Sequence, residues 1–343
     1  MRKLRVGIIG CGNIFPMHAI SIKKNDQLEL VAVCDNKKER AVEAASKYDA
    51  VAYFDYEKMF KEARLDVVHI CTPHYLHAPM TIAAAEHKIH VLTEKPMSIN
   101  VEDANRMIEA CRENQVSLGV IFQNRYNKGA IFLKERIESG RLGKIRAAKC
   151  QITWDRNDAY YMRSDWKGTW DKEGGGVVID QAIHTLDLMC WFIGEDIEYI
   201  DATIANRVHK SIDVEDTSEG MIKFENGIIG TFHVINYYTT DSPVTIEFHC
   251  EKGLVKYTDG LTEIIYDDES RESVGSDPRE HIDYGDVKSY WGVSHVKQIH
   301  DFYESIKQNK KPAIDGYDAI ITQKVVNAIY QSGKTGEKVY YKS

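Results

Sequence analysis

Apolar positions follow two different rhythms along the chain. Up to residue 122 they come as short continuous runs: LRVGIIG (4–10), LELVAVCD (28–35), LDVVHICT (65–72), KIHVLTE (88–94) and VSLGVIF (116–122). Between them lie stretches with helical spacing, such as 36–48 and 101–114. Strands that are apolar throughout and separated by helices need crossover connections, which predicts a parallel, doubly wound sheet. Two runs lead into polar residues and a proline, Thr72-Pro73 and Glu94-Lys95-Pro96. Those are the carboxyl ends of strands, where open α/β sheets bind ligands.

Beyond residue 122 the rhythm becomes alternation. A helical stretch at 128–139 leads into strand-like runs at 144–154, 218–238, 244–257 and 262–268. Asn226-Gly227 separates two β-rich runs, a strong hairpin signal, and Lys252-Gly253 is a weaker one. This part predicts an α+β domain, an open and mostly antiparallel sheet flanked by helices. Two helices at 292–309 and 316–334, with Pro312 between them, close the chain, and the polar stretch 267–290 reads as a surface loop. The expected division is a first domain of 1–122 and a second of 123–343. Alternating positions in MIKFENGIIGTFHVINYY (221–238) leave one sheet face in need of cover, so a homodimer or homotetramer is expected.

Charge narrows the partners. Lys and Arg number 44 against 52 Asp and Glu, a formal charge of −8, which argues against nucleic acid. No uninterrupted apolar run reaches about 18 residues, so no membrane helix is expected. MRKLRVGIIGCG reads as a first strand and not as a leader peptide, because glycines interrupt its apolar stretch. Seven scattered cysteines without a Cys-x-x-Cys pair fit reduced thiols in the cytoplasm.

The first chemistry lies at VGIIGCGNIFPMH (6–18), which follows a strand and opens a helix. Gly10 permits a tight turn, and Gly12 lets the backbone approach a pyrophosphate at the helix N-terminus. Phe15 stands where the fingerprint has a third glycine and is expected to displace the helix slightly. Asp35 ends the next strand, 25 positions after Gly10, where an acid bonds ribose hydroxyls and repels a 2′-phosphate. That favours NAD over NADP, although Lys37 and Lys38 soften the preference. Asp35 also suits the N-cap of the helix that follows.

The second lies in GGGVVIDQAIHTLDLMCWFIG (174–194). Its apolar residues read as one buried helix, yet Asp180, His184 and Asp187 share a face. Asp180 and His184 four apart suit general-base chemistry, since imidazole has a pKa near neutrality. They also suit metal ligation, but no third ligand is evident nearby and no metal is expected. Asp187 reads as a structural cap or pair. Upstream, TWDRNDAYYMRSDWKGTW (153–170) offers the aromatic rings of Trp154, Tyr160, Tyr161, Trp166 and Trp170 for stacking on a ligand. Arg125, Arg156, Arg163 and Lys167 suit an anionic group. Several of these aromatics equally suit plain packing.

The order of GIIGCGNI with His18, CTPHYLH (71–77), TEKPMS (93–98) and GGGVVIDQAIHTLD (174–187) resembles the Gfo/Idh/MocA oxidoreductases over nearly the whole chain. The resemblance implies a Rossmann domain followed by an open antiparallel sheet, with NAD as cofactor. It implies that Lys95 touches the substrate hydroxyl beside the nicotinamide, that His184 moves the hydroxyl proton, and that Asp180 holds and polarises the site. Gly10, Gly12, Asn13, Ile14, Asp35, Thr72, Pro73, His77, Glu94, Lys95 and Gln123 would line the cofactor. Arg125, Tyr161, Arg163, Trp166, Gln181 and His295 would meet substrate. Gln181-Ala182 stands where many inositol dehydrogenases carry Leu-Gly, which moves the expectation toward sugars, sugar derivatives or glycosides. The expected function is an NAD-dependent oxidoreductase acting on a secondary hydroxyl or keto group of such a carbohydrate, with ring C3 a candidate. The alternatives are an NAD-assisted glycoside hydrolase working by transient oxidation and elimination, an inositol dehydrogenase, and an NAD-sensing regulator.

Overall fold

The computed structural model describes residues 2–194, 196–275 and 294–341. The described chain forms two units, 2–123 with 294–321, and 124–275 with 322–341.

In the first unit, β1 (Leu4–Ile9), β2 (Leu28–Cys34), β3 (Val51–Tyr53), β4 (Val67–Ile70), β5 (His90–Thr93) and β6 (Leu118–Val120) are all parallel, in the order β3-β2-β1-β4-β5-β6. The order reverses between β1 and β4, the switch point at which such sheets bind ligands. The crossovers carry α1 (Phe15–Lys23), α2 (Lys38–Tyr48), α3 (Tyr56–Glu62), α4 (His77–Glu86) and α5 (Val101–Glu113). Asn100 starts α5 by accepting from the Asp103 N–H at 2.7 Å, an N-cap that the amphipathic run needs. Strand β3 has no counterpart in the sequence reading; three residues at a sheet edge are too few to show a period.

The sequence puts both closing helices in the second domain. In the structure α9 (Ser294–Lys307) belongs to the first. Ile299, Phe302 and Tyr303 pack into the core formed by Val6, Ile8, Ala19 and Leu92. Gln298 adds two bonds to the end of β6, donating to the Val120 carbonyl and accepting from the Phe122 N–H. The unit boundary at 321/322 falls inside α10 (Gly316–Thr335).

The second unit contains α6 (Lys128–Glu138), α7 (Asp158–Met162) and α8 (Ile183–Ile193). Its strands are β7 (Ile145–Thr153), β8 (Ile197–Ala205), β9 (Thr217–Phe224), β10 (Ile229–Ile235), β11 (Thr245–Cys250), β12 (Gly253–Thr258), β13 (Leu261–Tyr266), β14 (Arg271–Val274) and β15 (Val339–Tyr340). They form one sheet in the order β14-β13-β12-β11-β7-β10-β9-β8-β15, antiparallel except where β10 runs parallel to β7. Asn226-Gly227 joins β9 to β10, with Gly227 at φ 93°, and Lys252-Gly253 turns β11 into β12. Part of the predicted loop at 267–290 is strand β14, paired to β13; positions 276–290 lie outside the described residues. Among the described residues no helix is long and apolar enough to cross a membrane.

Candidate active site

In the first unit the turn after β1 is shaped for a dinucleotide. Gly10 has φ 93°, and a Cβ there would meet the Cys71 carbonyl oxygen at 2.5 Å, so only glycine fits. Gly12 differs: a Cβ on it would meet nothing within 4 Å. Helix α1 starts without a side-chain cap at Ile14 and with no acid in its first turn. In its first turn Phe15 and Met17 donate to the Gly12 and Ile14 carbonyls at 3.2 and 3.0 Å and Pro16 has no N–H, so an anion here would be met by the glycine turn and the positive end of the helix. Asn13 is exposed at the same turn. Phe15 is 5 % exposed and packs edge-on against Tyr48 at 5.5 Å, so the missing third glycine is replaced by an aromatic core contact.

Asp35 lies beside this turn, its Oδ2 accepting from the Cys11 N–H at 2.9 Å and its Oδ1 from the Lys37 N–H at 2.8 Å. Asp35 does not cap α2, whose N-cap is Lys37 without a side-chain cap; it faces the glycine turn instead. Thr72 and Pro73 follow β4 and are half-buried. His77 is fully buried, with Nε2 2.8 Å from the Thr72 carbonyl and Nδ1 2.7 Å from the Pro96 carbonyl. It ties together the segments after β4 and β5. Burial pushes its pKa down, and a neutral ring donates to only one of the two carbonyls at a time. Gln123 is buried after β6, and its Oε1 has no hydrogen-bond partner among the described residues. An open glycine turn, an acid fixed against it and an orphaned buried amide fit a dinucleotide. Lys95, half-buried, follows Glu94 at the end of β5. Glu94 faces inward, accepting from His18 at 2.9 Å. His295, expected at the substrate, sits in this unit with Nε2 3.5 Å from Glu94 Oε1. The reason is that α9 returns to the first unit.

In the second unit two of the three glycines make room for Glu215 and Tyr330. A Cβ on Gly176 would lie 2.0 Å from the Glu215 carbonyl oxygen, and one on Gly175 would lie 1.9 Å from the Tyr330 hydroxyl. The fully buried Glu215 carboxylate accepts from the N–H groups of Gly176 and Val178 and from the Tyr330 hydroxyl, all within 3.0 Å. Burial pushes its pKa up to about 7 against those bonds. The backbone from Val178 to Ala182 then forms one wide i→i+5 turn before α8, a distortion often found at functional sites.

Asp180 and Gln181 sit in that turn. Asp180 Oδ2 accepts from Tyr160 at 2.7 Å, from Gln181 Nε2 at 2.7 Å and from Lys167. Lys167 also reaches Glu173 at 3.3 Å. Burial would lower the Lys167 pKa, but Asp180 and Glu173 outweigh it and hold the ammonium charged; burial pushes Glu173 up to about 8. The Gln181 amide oxygen accepts from Asn236, which also donates to Tyr161. His184 lies half-buried at the start of α8. Tyr160, Lys167 and Asn236 are thus the side chains gathered round Asp180 and Gln181. Tyr160 and Lys167 were legible as candidates, and Asn236 was not.

The other expected contacts divide. Tyr161 is 3 % exposed and packs with Ile212 and Val214. Arg125 makes a two-pronged pair with Asp187, at 2.6 and 2.8 Å, under which Thr322 also bonds. Asp187 is the structural pair expected of it, and Arg125 is committed to it. Arg163 is exposed, and Trp166 carries the Lys167 ammonium over its ring at 4.7 Å. Among the described residues no group of three or more His, Cys, Asp or Glu is placed to hold a metal ion.

The family of oxidoreductases with an NAD-binding Rossmann fold matches residues 4–122, and the GFO/IDH/MocA C-terminal domain matches 131–256. The chain belongs to the Gfo/Idh/MocA oxidoreductase family. Within that family it is 28 % identical to the myo-inositol 2-dehydrogenase of Thermotoga maritima, over 92 % of each chain. It is 29 % identical to the D-glucoside 3-dehydrogenase of Escherichia coli, over 98 % of this chain and 97 % of that one. The WlbA dehydrogenase of Bordetella pertussis, solved with NADH and UDP-GlcNAcA, superimposes over the full length of both chains with a TM-score of 0.87 at 28 % identity. These relatives are dehydrogenases, and a glycoside hydrolase working through transient oxidation is not favoured.

Proposed function

We propose that this member of the family transfers a hydride between NAD and a secondary hydroxyl or keto carbon of a sugar, sugar derivative or glycoside. The observation that carries the reading is the convergence of a phenol, an ammonium and an amide on Asp180, four residues before His184, in a chain whose other unit offers the open glycine turn. Such a dense set of fixed donors suits a polyhydroxylated substrate. Bound NAD would supply the hydride acceptor. His184 takes the hydroxyl proton as the alcohol is oxidised and returns it on reduction. Lys95 stabilises the developing alkoxide. Asp180 orients Tyr160, Lys167 and Gln181 for substrate hydroxyls.

Likeness to a glucoside 3-dehydrogenase supports oxidation at C3, and likeness to an inositol dehydrogenase keeps cyclitols in the test. The Asp35 carboxylate supports NAD over NADP. The purified protein with NAD, a panel of glycosides, free sugars, sugar nucleotides and inositols, and absorbance of the reduced nicotinamide tests the reading. Reduction with a glycoside or sugar supports it; reduction with inositols alone, or with nothing in the panel, overturns it.

We also infer a homo-oligomer built on the sheet. Register aligns Ile265, Leu254, His249, Ala147 and Ile229 in one row across five strands. Ile265, Leu254 and Ile229 are 40, 38 and 37 % exposed. A second copy would cover that row, and a monomer in light scattering at micromolar concentration would refute it. Seven free cysteines support a reducing, cytoplasmic setting.

A further inference from the structure

Four elements of the first unit meet in a buried polar chain: His18 from α1, His69 from β4, Tyr303 from α9 and Glu94 just after β5. His18, His69 and Tyr303 are fully buried, and Glu94 is 7 % exposed. Tyr303 Oη lies 2.7 Å from His69 Nε2, His69 Nδ1 lies 2.8 Å from His18 Nδ1, and His18 Nε2 lies 2.9 Å from Glu94 Oε1. Glu94 Oε2 accepts from the Lys95 backbone N–H at 3.3 Å. The other titratable groups near Glu94 include His295, 3.5 Å from Oε1, and the buried Cys71 and His77.

Each of the three contacts needs one proton, and a neutral imidazole carries only one. A carboxylate at Glu94 can only accept, so His18 donates from Nε2. Its Nδ1 is then a lone pair, which obliges His69 to donate from Nδ1. His69 Nε2 is left as the acceptor of the Tyr303 hydroxyl. Running the chain backward needs a protonated Glu94. Making His18 a cation puts a charge on a ring without solvent contact. Burial pushes His18 down and His69 well down, keeping both neutral. Burial pushes Glu94 up, but the hydrogen bonds from His18 and His295 outweigh that and hold it well below the carboxylate range.

We propose that Tyr303, His69 and His18 form a one-way hydrogen-bond chain that fixes Glu94 as a carboxylate and, through its bond to the backbone, positions Lys95 for the reaction. The three are positioning residues. Their effect on turnover rests on the oxidoreductase reading; their protonation pattern does not.

The test uses the full-length protein with 15N-labelled histidine and no cofactor, read by long-range 1H–15N correlation. Signals are assigned by their loss in His18→Gln and His69→Gln. His69 is expected as the Nδ1–H form and His18 as the Nε2–H form, both unchanged from about pH 6 to about pH 9. His69 protonated at Nε2, or His18 at both nitrogens, overturns the proposal. Tyr303→Phe keeps the ring and removes only the donor. In that variant His18 still obliges His69 to donate from Nδ1, so the tautomers should stay as they are while His69 Nε2 loses its donor. Turnover should fall about threefold to tenfold with NAD affinity unchanged. A switch of His69 to the Nε2–H form in Tyr303→Phe, or wild-type turnover in that variant, would equally overturn it.

Discussion

Replacing Lys167 with Met removes the cation that lies between Asp180 and Glu173. The side chains of Lys167, Glu173 and Asp180 are only 15, 1 and 10 % exposed, so water replaces little of the lost charge. Removing one partner of a buried pair costs about 3–5 kcal/mol, mostly for the charge left behind. Glu173 has a way to reduce that penalty, because its pKa is already raised to about 8 and it can take up a proton. In the unfolded chain Glu173 titrates in the ordinary carboxylate range. Between that range and about pH 8 the folded protein holds the extra proton, so this group makes stability fall as pH rises, with no further change above about 8. Lys167→Met should therefore lose about 3 kcal/mol in alkaline buffer and about half of that near pH 6. Urea unfolding across pH measures both, and Glu173→Gln should flatten the difference. A loss below about 1 kcal/mol, or one equal at both pH values, would refute the assignment of Lys167 as the counter-ion.

Two further outcomes follow from the site. Asp35→Ser should narrow or reverse the preference for NAD over NADP in titration calorimetry; wild-type protein that binds NADP more tightly would show that Lys37 or Lys38 governs the pocket. His184→Ala should lose about 10²–10⁴-fold in turnover with NAD affinity nearly unchanged; near-normal turnover, with Lys95→Ala inactive, would move the proton to Lys95.

What the sequence reveals here is what short-range physics determines. The glycine turn, Asp35 and the Asn226-Gly227 hairpin are legible because each is one local conformation with its own residue requirement. Asp259-Gly260 was equally legible, with φ of 45° and 90°, and it joins β12 to β13. The candidate site was legible in its residue types and less so in its pairings. Tyr160 and Tyr161 are neighbours on the short helix α7, and only the fold decides that Tyr160 reaches Asp180 while Tyr161 faces the core. Nothing near Glu215 announces that it holds a glycine run 39 positions earlier. Arg125 and Asp187 lie 62 positions apart, and His69 and Tyr303 lie 234 apart. Pairing at such separations depends on tertiary closure, which periodicity does not encode. The same holds for α9, whose amphipathic pattern predicts a helix but not the sheet it covers.

Gly10 and Gly12 separate the needs of the fold from the needs of the ligand. Both belong to one sequence motif, yet the space around them differs. Gly10→Ala places a Cβ 2.5 Å from the Cys71 carbonyl at φ 93°. Left-handed backbone alone costs a side chain about 1–2 kcal/mol, and the backbone of Cys71 and Thr72 just after β4 must also shift. Thermal unfolding should show a loss of more than about 2 kcal/mol. Gly12 has φ outside the left-handed region and open space beyond it. Gly12→Ala should therefore leave stability within about 1 kcal/mol, on the stabilising side if the unfolded chain loses freedom. Its methyl group would stand where a pyrophosphate must approach the backbone, so NAD affinity should fall at least about tenfold. If Gly12→Ala bound NAD as wild type does, the open space would not be the cofactor's, and the dinucleotide would have to lie elsewhere along the strand ends. If it unfolded the protein as Gly10→Ala does, the turn would be a packing motif, and its openness would carry no functional meaning.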